Sequence, residues 1–208
     1  MAKGNKKKNS KIFRLLILIV LVSANTFSWF IYATKIDGSV SVHVKGWDVL
    51  FEAGENQVSN IINVNVDNIY PGMEDFHYEV KAYNRSEVSA TLSYEVIEAR
   101  LLNNIYISEE GRGYYGQTVL PTDPTSSELE SGLASDYPFS ISISKSSTSI
   151  QAGTGVEKVN IDLEWPYENN NDEEDTEWGI NASNYKNSNP SSPTIAIKIK
   201  IIITQNPN

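Results

Sequence analysis

The densest group of possible metal ligands lies between two tryptophans, in the segment "WPYENNNDEEDTEWG" from Trp165 to Gly179. This segment holds three asparagines and six acidic residues. Carboxylate and amide oxygens are the ligands that calcium prefers, but no window here supplies the glycine that an EF-hand loop needs for its sharp turn. Because runs of charge are mostly solvated, we expect a hydrated acidic loop. The alternative is a calcium site built from four carboxylates: Asp172, Glu173, Glu174 and Asp175.

Catalytic motifs are missing from the rest of the sequence. The two histidines, His43 and His77, belong to no H-E-x-x-H pair, and no serine lies in a G-x-S-x-G elbow. Both histidines alternate with apolar neighbours on predicted strands, which would turn them toward solvent. The sequence has no cysteine, which excludes thiol nucleophiles, zinc-thiolate sites and disulfides. We therefore predict a protein that is not an enzyme and holds no cofactor.

One glycine motif imitates a nucleotide-binding fingerprint. The segment "GRGYYG", Gly111 to Gly116, matches the pattern G-x-G-x-x-G. A phosphate-binding version must open a helix whose first amides face the pyrophosphate. Here the chain continues "QTVLPTDP", and the two prolines prevent a helix of useful length. We interpret the motif as a flexible hairpin end.

Charge is divided unevenly along the 208 residues. The first 28 residues hold six of the 17 basic residues and none of the 26 acidic ones, so the remainder carries a formal charge of −15. Such an acidic body repels nucleic acid and anionic membrane surfaces, since phosphate binding depends on clustered Lys and Arg. We expect no nucleic-acid partner and an extracellular location, either secreted or at the cell surface.

The basic N-terminus is followed by "LLILIVLV", an apolar core of signal-peptide length that is short for a membrane span. Residues 1–28 therefore predict a signal peptide and a signal peptidase as a partner. Cleavage is possible after Ala24, or between Ser28 and Trp29 with Thr26 as the second small residue. The alternative is that residues 12–33 remain as a membrane anchor with the basic end inside, so that the N-terminal segment is the only contact with a membrane.

Beyond residue 38, apolar and polar residues alternate with a period of two, which is typical of half-buried strands. The predicted inward-facing sets are Val40, Val42 and Val44; Trp47, Val49 and Phe51; Ile62, Val64 and Val66; Phe76, Tyr78, Val80 and Ala82; Ala90, Leu92, Tyr94 and Val96; Phe139, Ile141 and Ile143; Val159, Ile161, Leu163 and Trp165; and the alternate isoleucines from Ile195 to Ile203.

These strands predict an all-β fold, an antiparallel β-sandwich or jelly roll over residues 39–208, preceded by the N-terminal hydrophobic signal or anchor helix. Only residues 124–136, "PTSSELESGLASD", predict a short helix, with Ser or Thr available as its cap. Residues 103–136 and 168–194 otherwise read as long polar loops.

Four segments resemble the TasA and camelysin family of exported bacterial proteins, whose signal peptides are processed by the SipW type of peptidase. They are the junction "NTFSWF" after a short apolar core, "YPGM" after an early strand, and "VNIDLEWPYENNNDEEDT" with the closing strand "TIAIKIKIIITQ". The resemblance implies a jelly-roll subunit of surface or biofilm-matrix fibres. It also places the signal cleavage between Ser28 and Trp29. Some members are described as metallopeptidases, but no zinc motif is present here to carry that activity.

The resemblance gives the leading hypothesis, a structural protein that assembles with copies of itself or with a related fibre subunit. Residues 29–38 would then be the mature N-terminal segment, and the alternation of Trp29, Phe30, Ile31 and Tyr32 suits a strand that completes the sheet of a neighbour. The second hypothesis is a monomeric, membrane-anchored binding module for a carbohydrate or surface ligand. Its ligand would contact four aromatic residues in the loops: Tyr106, Tyr114, Tyr115 and Tyr185.

Overall fold

The computed structural model describes Ile17, Ile19 and residues 46–168 and 171–206. The predictions for Ser28, for Trp29 to Tyr32 and for the strand that carries His43 lie outside the described residues. One compact unit extends from Lys45 to Asn208. No helix within the described ranges is long and apolar enough to cross a membrane.

Ten strands of the described part form two antiparallel sheets, as the alternating pattern predicted. The bounds of the strands are β1 (Val49–Ala53), β2 (Asn56–Val58), β3 (Ile61–Val66), β4 (Phe76–Asn84), β5 (Ala90–Leu101), β6 (Asn104–Ile107), β7 (Ser140–Lys145), β8 (Ser149–Ile150), β9 (Gly155–Glu164) and β10 (Ile195–Gln205). The first sheet has the order β2-β1-β4-β9-β7. The second has the order β3-β10-β5-β6, and β8 pairs with the other end of β5.

The core lies between the inner faces of these sheets, and its members are largely those that the sequence pattern predicted. Val80 and Ala82 of β4 and Ile161 of β9 are buried, as are Ile195 and Ile199 of β10. Both sheets bury alternate residues, which fixes the register because a slip of one residue would turn each apolar set to solvent. The prediction of an antiparallel sandwich is therefore confirmed for the described residues.

A bulge interrupts the longest pairing, which joins β5 and β10. Lys198 lies opposite Glu98, but the next residue, Ile199, lies opposite Val96, so Ile97 is the extra residue of β5. Ile97 is fully buried although it lies outside the main core cluster. The alternation that the sequence pattern predicted for β5 therefore changes phase after Val96.

Three helices occur in residues 46–168 and 171–206, where the sequence predicted one. Their bounds are α1 (Glu109–Tyr114), α2 (Ser126–Ser135) and α3 (Asp172–Ser188). The predicted helix is α2, which Thr125 caps by accepting from the Glu128 N–H. The Glu128 carboxylate in turn accepts from the Thr125 N–H, which completes a capping box. The prediction of long polar loops was wrong, because α1 and α3 occupy much of them.

The 17-residue helix α3 is held to one end of the sandwich by an aromatic cluster. Trp178 of α3 makes edge contacts with Tyr137 and Phe139, at centroid distances of 5.2 and 5.4 Å. Phe139 also contacts Trp165, at 5.3 Å. The Trp165 indole N–H donates to Asp175 Oδ1 over 2.7 Å, and both residues are buried. Because its own mean hydropathy is low, α3 depends on these contacts for its position.

Candidate functional site

A groove of about 410 Å³ opens between the two sheets on the side of β2 and β3. From the first sheet, Trp47, Val49 and Phe51 line it; from the second, residues Lys200 to Ile203 of β10 do so. Trp47 is 45% exposed, which is high for an indole whose neighbours are apolar. The groove is therefore an apolar surface that the described chain leaves open.

The groove exists because both edge strands stop short of it. Strand β2 pairs with β1 only from Phe51 to Ala53, which leaves Val49 without a partner strand on that side among the described residues. Strand β3 ends its pairing with β10 at Lys200, opposite Ile61. The chain crosses from one sheet to the other at Ser59 and Asn60, which line the corner of the groove.

Main-chain hydrogen-bonding groups of β10 face this open side. The Ile201 N–H donates to the Asn60 carbonyl over 2.8 Å, which is the last bond on the β3 side. Residues two apart on a strand direct their N–H and C=O groups the same way, so Ile203 and Gln205 present theirs to the open edge. On the other side, β10 pairs with β5 as far as Gln205. No strand in residues 46–168 or 171–206 pairs with the open edge beyond Ile201.

The groove carries little charge. Among the described residues its only ionisable lining residue is Lys200, whose Nζ lies 3.1 Å from Glu95 Oε2 on the outer face of the second sheet. The hydroxyl of Ser59 is engaged locally with the backbone of Ile61. The remaining surface offers apolar side chains and an unpaired strand edge, which is the chemistry of an extended apolar peptide and not of a polar small molecule.

The four carboxylates predicted as possible calcium ligands lie in the first turn of α3, so the prediction of an acidic loop was wrong. They favour the helix, because negative side chains near an N-terminus offset the positive end of its dipole. Asp175 points inward to Trp165, whereas Asp172 and Glu173 are exposed. In the described part of the chain no group of three or more His, Cys, Asp or Glu side chains is placed to hold a metal ion.

His77 lies on the outer face of the first sheet, as predicted. Its Nδ1 is 2.5 Å from Asp162 Oδ1, and its side chain is 56% exposed. One row along the same face, Lys158 Nζ lies 2.7 Å from Glu79 Oε2, and this hydrogen bond lowers the pKa of the Glu79 carboxyl. These pairs form a polar ladder across β4 and β9 and bring no nucleophile to His77.

The glycine motif has a packing role. Its first glycine, Gly111, sits in α1 against the bulge of β5, and an added Cβ would lie 1.9 Å from the Ile97 carbonyl oxygen. Ser108 caps α1 by accepting from the Gly111 N–H over 3.0 Å. The interpretation as a flexible hairpin end was wrong: the hairpin turn lies earlier, at Leu102 and Asn103, and the motif begins inside a short capped helix.

The four tyrosines of the binding-module hypothesis do not form one surface. Tyr185 is buried, and its hydroxyl accepts from Arg100 over 2.6 Å. The Tyr115 hydroxyl lies between Lys198 and Glu98, and burial together with the Glu98 carboxylate raises its pKa. Tyr114 packs edge-on against Tyr115 with centroids 5.0 Å apart. Tyr106, on β6, is partly exposed.

No protein family, curated protein or solved structure matches this chain. One sign of the groove was visible in the sequence, where Trp47, Val49 and Phe51 alternate in the predicted strand before the first turn. The early ends of β2 and β3 had no sign in the sequence, because strand lengths across a sheet depend on pairing between distant segments.

Proposed function

We propose that the protein is an exported subunit of an extracellular fibre, and that copies join when an extended apolar segment of one copy adds to the groove of the next. The open edge at Ile203 and Gln205 carries this proposal, together with the apolar floor that Trp47 and Phe51 provide. Unpaired strand edges recruit other strands, and proteins normally cover or blunt them. An edge left open beside an apolar groove therefore suits strand addition.

The segment proposed to fill the groove is Trp29 to Tyr32, at the start of the chain after signal removal. Its alternating aromatic and aliphatic residues would place one set of side chains in the groove, while its backbone pairs with β10. Joining copies head to tail in this way gives an interface that never closes, which produces a filament. The crossing of the chain between two antiparallel sheets supports the finer description of the subunit as a jelly roll.

The export step is tested by sequencing the N-terminus of the secreted protein. We expect the first residue to be Trp29, which leaves the whole apolar segment on the mature chain. A start at Asn25 would give a different joining segment, and a full-length chain retained in the membrane would contradict export.

We call the contact between the added segment of one copy and the groove of the next the joint. Two variants of the exported form test it, one lacking the segment and one with an altered groove edge. Deleting residues 29–35 removes the added segment, whereas Ile203→Pro removes the N–H that faces the open edge and leaves the pairing with β5 intact. We expect each variant alone to be a folded monomer by light scattering. Mixed together, they should form a one-to-one dimer, because one retains the groove and the other retains the segment.

The matched control is Ile203→Val, which keeps the N–H and should still form fibres. Trp47→Ala, which removes part of the apolar floor, provides a second way to weaken the joint if the proline variant folds poorly. Fibres from the deleted protein alone would refute the proposed segment. A parent protein that stays monomeric at every concentration would refute assembly itself.

A further inference from the structure

A second cleft, on a different part of the molecule, lies between α3 and the connection from β3 to β4. It has a volume of about 420 Å³, within the range of about 300–1,000 Å³ that small-molecule sites occupy. Tyr70 forms one wall, and its side chain is 55% exposed. Asn68 on the connection and Ser183 and Asn187 on α3 supply the polar lining.

A rigid turn holds Tyr70 outward. The Met73 N–H donates to the Tyr70 carbonyl over 3.1 Å, and Pro71 and Gly72 occupy the two central positions. Gly72 has a φ of 74°, which the third position of a type II turn requires. Its N–H also donates to the Trp165 carbonyl over 2.8 Å, which ties the turn to the end of the core. The backbone that carries the exposed ring is therefore fixed, so no backbone entropy of this turn would be lost on binding.

The opposite wall of the cleft is equally fixed. It is formed by α3, which the aromatic cluster around Trp178 anchors to the sandwich, and Ala182 is buried beneath the cleft. Gly179 leaves room beside Pro71, whose Cδ would be 3.6 Å from an added Cβ. Ile69, next to Tyr70, is also buried, so the residues flanking the cleft have packed backbones.

The polar groups of the cleft are those that recognise hydroxyls. The side chains of Asn68, Ser183 and Asn187 are exposed, and no partner within the described residues engages them. Each amide offers two donors and one acceptor, which suits neighbouring hydroxyl groups that both donate and accept. An aromatic face beside such groups packs against the apolar face of a pyranose ring, as amphipathic aromatic side chains do at wet interfaces.

The charges in and around the cleft indicate whether its ligand is neutral or anionic. Lys186 is the only ionisable residue that the described part of the chain adds to the lining besides the tyrosine. Its Nζ already donates to the Ser192 carbonyl over 3.1 Å and lies 3.6 Å from Asp67 Oδ1. The chain as a whole has a net charge of −9, which repels anions. The combination of a fixed exposed tyrosine, free amides and a locally neutralised cation therefore favours an uncharged ligand.

We propose that this cleft is a binding site for a neutral carbohydrate, with the ring of Tyr70 as the stacking platform and Asn68, Ser183 and Asn187 as the hydroxyl-binding groups. The site is separate from the groove beside β10 and does not depend on assembly. A subunit with both sites could hold a neutral glycan while its groove is filled by another copy.

The test uses the full exported chain and four soluble tetrasaccharides, of glucose, mannose, galactose and N-acetylglucosamine, with saturation-transfer NMR and calorimetry. We expect at least one of them to bind. Tyr70→Ala should weaken that binding at least tenfold, whereas Tyr70→Phe, which keeps the ring, should change it less than threefold. Ser183→Trp, which fills the cleft from an exposed helix position, should abolish it.

The matched control is Tyr114→Ala, which removes another exposed tyrosine on α1, outside the cleft, and should leave binding unchanged. Melting temperatures of the variants separate a lost site from a lost fold. The proposal is overturned if none of the four tetrasaccharides binds in the millimolar range, or if a bound one tolerates both Tyr70→Ala and Ser183→Trp. Either result leaves the assembly test unaffected, because that test measures oligomeric state without a glycan.

Discussion

The two outer sides of the β5–β10 pair differ at two residues that face each other, Leu92 of β5 and Ile203 of β10. Leu92 directs its N–H and C=O groups away from β10, and Ile203 directs its own away from β5. The Leu92 N–H donates to the Thr148 carbonyl over 2.7 Å, and its carbonyl accepts from Lys145 Nζ over 3.2 Å. For Ile203 the described residues provide neither partner.

Helix α2 covers the side of β5 that faces away from β10, which we call the closed side. The Val96 N–H donates to Ser126 Oγ over 2.7 Å, so the start of α2 occupies a place where another strand would pair. Leu129 and Leu133 of α2 are buried in the main core cluster. The contrast shows that this fold can cover a strand edge, whereas among residues 46–168 and 171–206 no strand covers the edge at Ile203.

The largest expected difference between the two sides is in hydrogen exchange. In the monomer that lacks residues 29–35, we expect the Val96 amide to exchange at least about a hundredfold more slowly than the Ile203 amide, because only the former is buried and bonded. Adding a peptide of residues 29–35 should slow the Ile203 amide and leave Val96 unchanged. Equal protection of the two amides in the monomer would remove the contrast.

The packing of the closed side and of the open side can be compared by truncating one apolar side chain on each and measuring the free energy of unfolding. Leu133→Ala on α2 should lower the free energy of unfolding by about 3 kcal/mol, because Leu133 is 1% exposed and the change leaves a cavity. Trp47→Ala on the open side should cost less than about 1 kcal/mol, since that side chain is 45% exposed. Urea unfolding of the monomer measures both. A large loss from Trp47→Ala would mean that the groove is part of the core.

The attachment of α1 to the closed side depends on one glycine of the "GRGYYG" motif. Gly111→Ala should cost about 1–3 kcal/mol, because its Cβ would overlap the Ile97 carbonyl and the helix must move. Gly113→Ala is the matched control: nothing lies within 4 Å of its added Cβ, so it should be neutral or stabilise by up to about 1 kcal/mol. If both substitutions are neutral, the close packing of α1 on the bulge is refuted.

The smallest expected effect is on acid stability at the connection from α1 to α2. The Leu120 N–H and the Arg112 guanidinium lower the pKa of Asp123, so the folded protein favours the ionised carboxylate. This contribution is full above the unfolded pKa of about 4 and is lost as the pH falls through the lower folded pKa. Asp123→Asn should therefore flatten the loss of stability between about pH 4 and pH 2. Glu55→Gln, at an exposed position in the turn between β1 and β2, should leave it unchanged, and an unchanged slope in Asp123→Asn would contradict the role of this pair.

The sequence by itself determined the strands and the faces that they bury. Residues such as Val64, Ile161 and Ile199 alternate with polar neighbours, and a period of two leaves one arrangement that buries them all. It also determined α2, because Thr125 and Glu128 supply a capping box from local chemistry alone. The short helix α1 had a local signal too, in Ser108 followed by two glutamates, which the glycines of the motif obscured.

Tertiary contacts decided what the acidic segment became. Its composition favours solvent, and only the spacing of Trp178, Ala182 and Tyr185 on one face indicates a helix. That face has a place to pack because Phe139 and Trp165 meet at the end of the sandwich, and Trp165 bonds to Asp175. These partners come from separate strands, so the helix follows from the completed core and could not be assigned from local preference.

The two candidate sites were also decided by the tertiary structure. The groove depends on where β2 and β3 stop relative to β1 and β10, which is a matter of pairing between distant segments. The cleft beside Tyr70 depends on α3 lying against the turn at Pro71. The sequence supplied the residues at both places, with Trp47 and Tyr70 as exposed aromatics. Only the packing of whole elements left those aromatics uncovered, because burial is set by neighbours that the chain brings together from far apart.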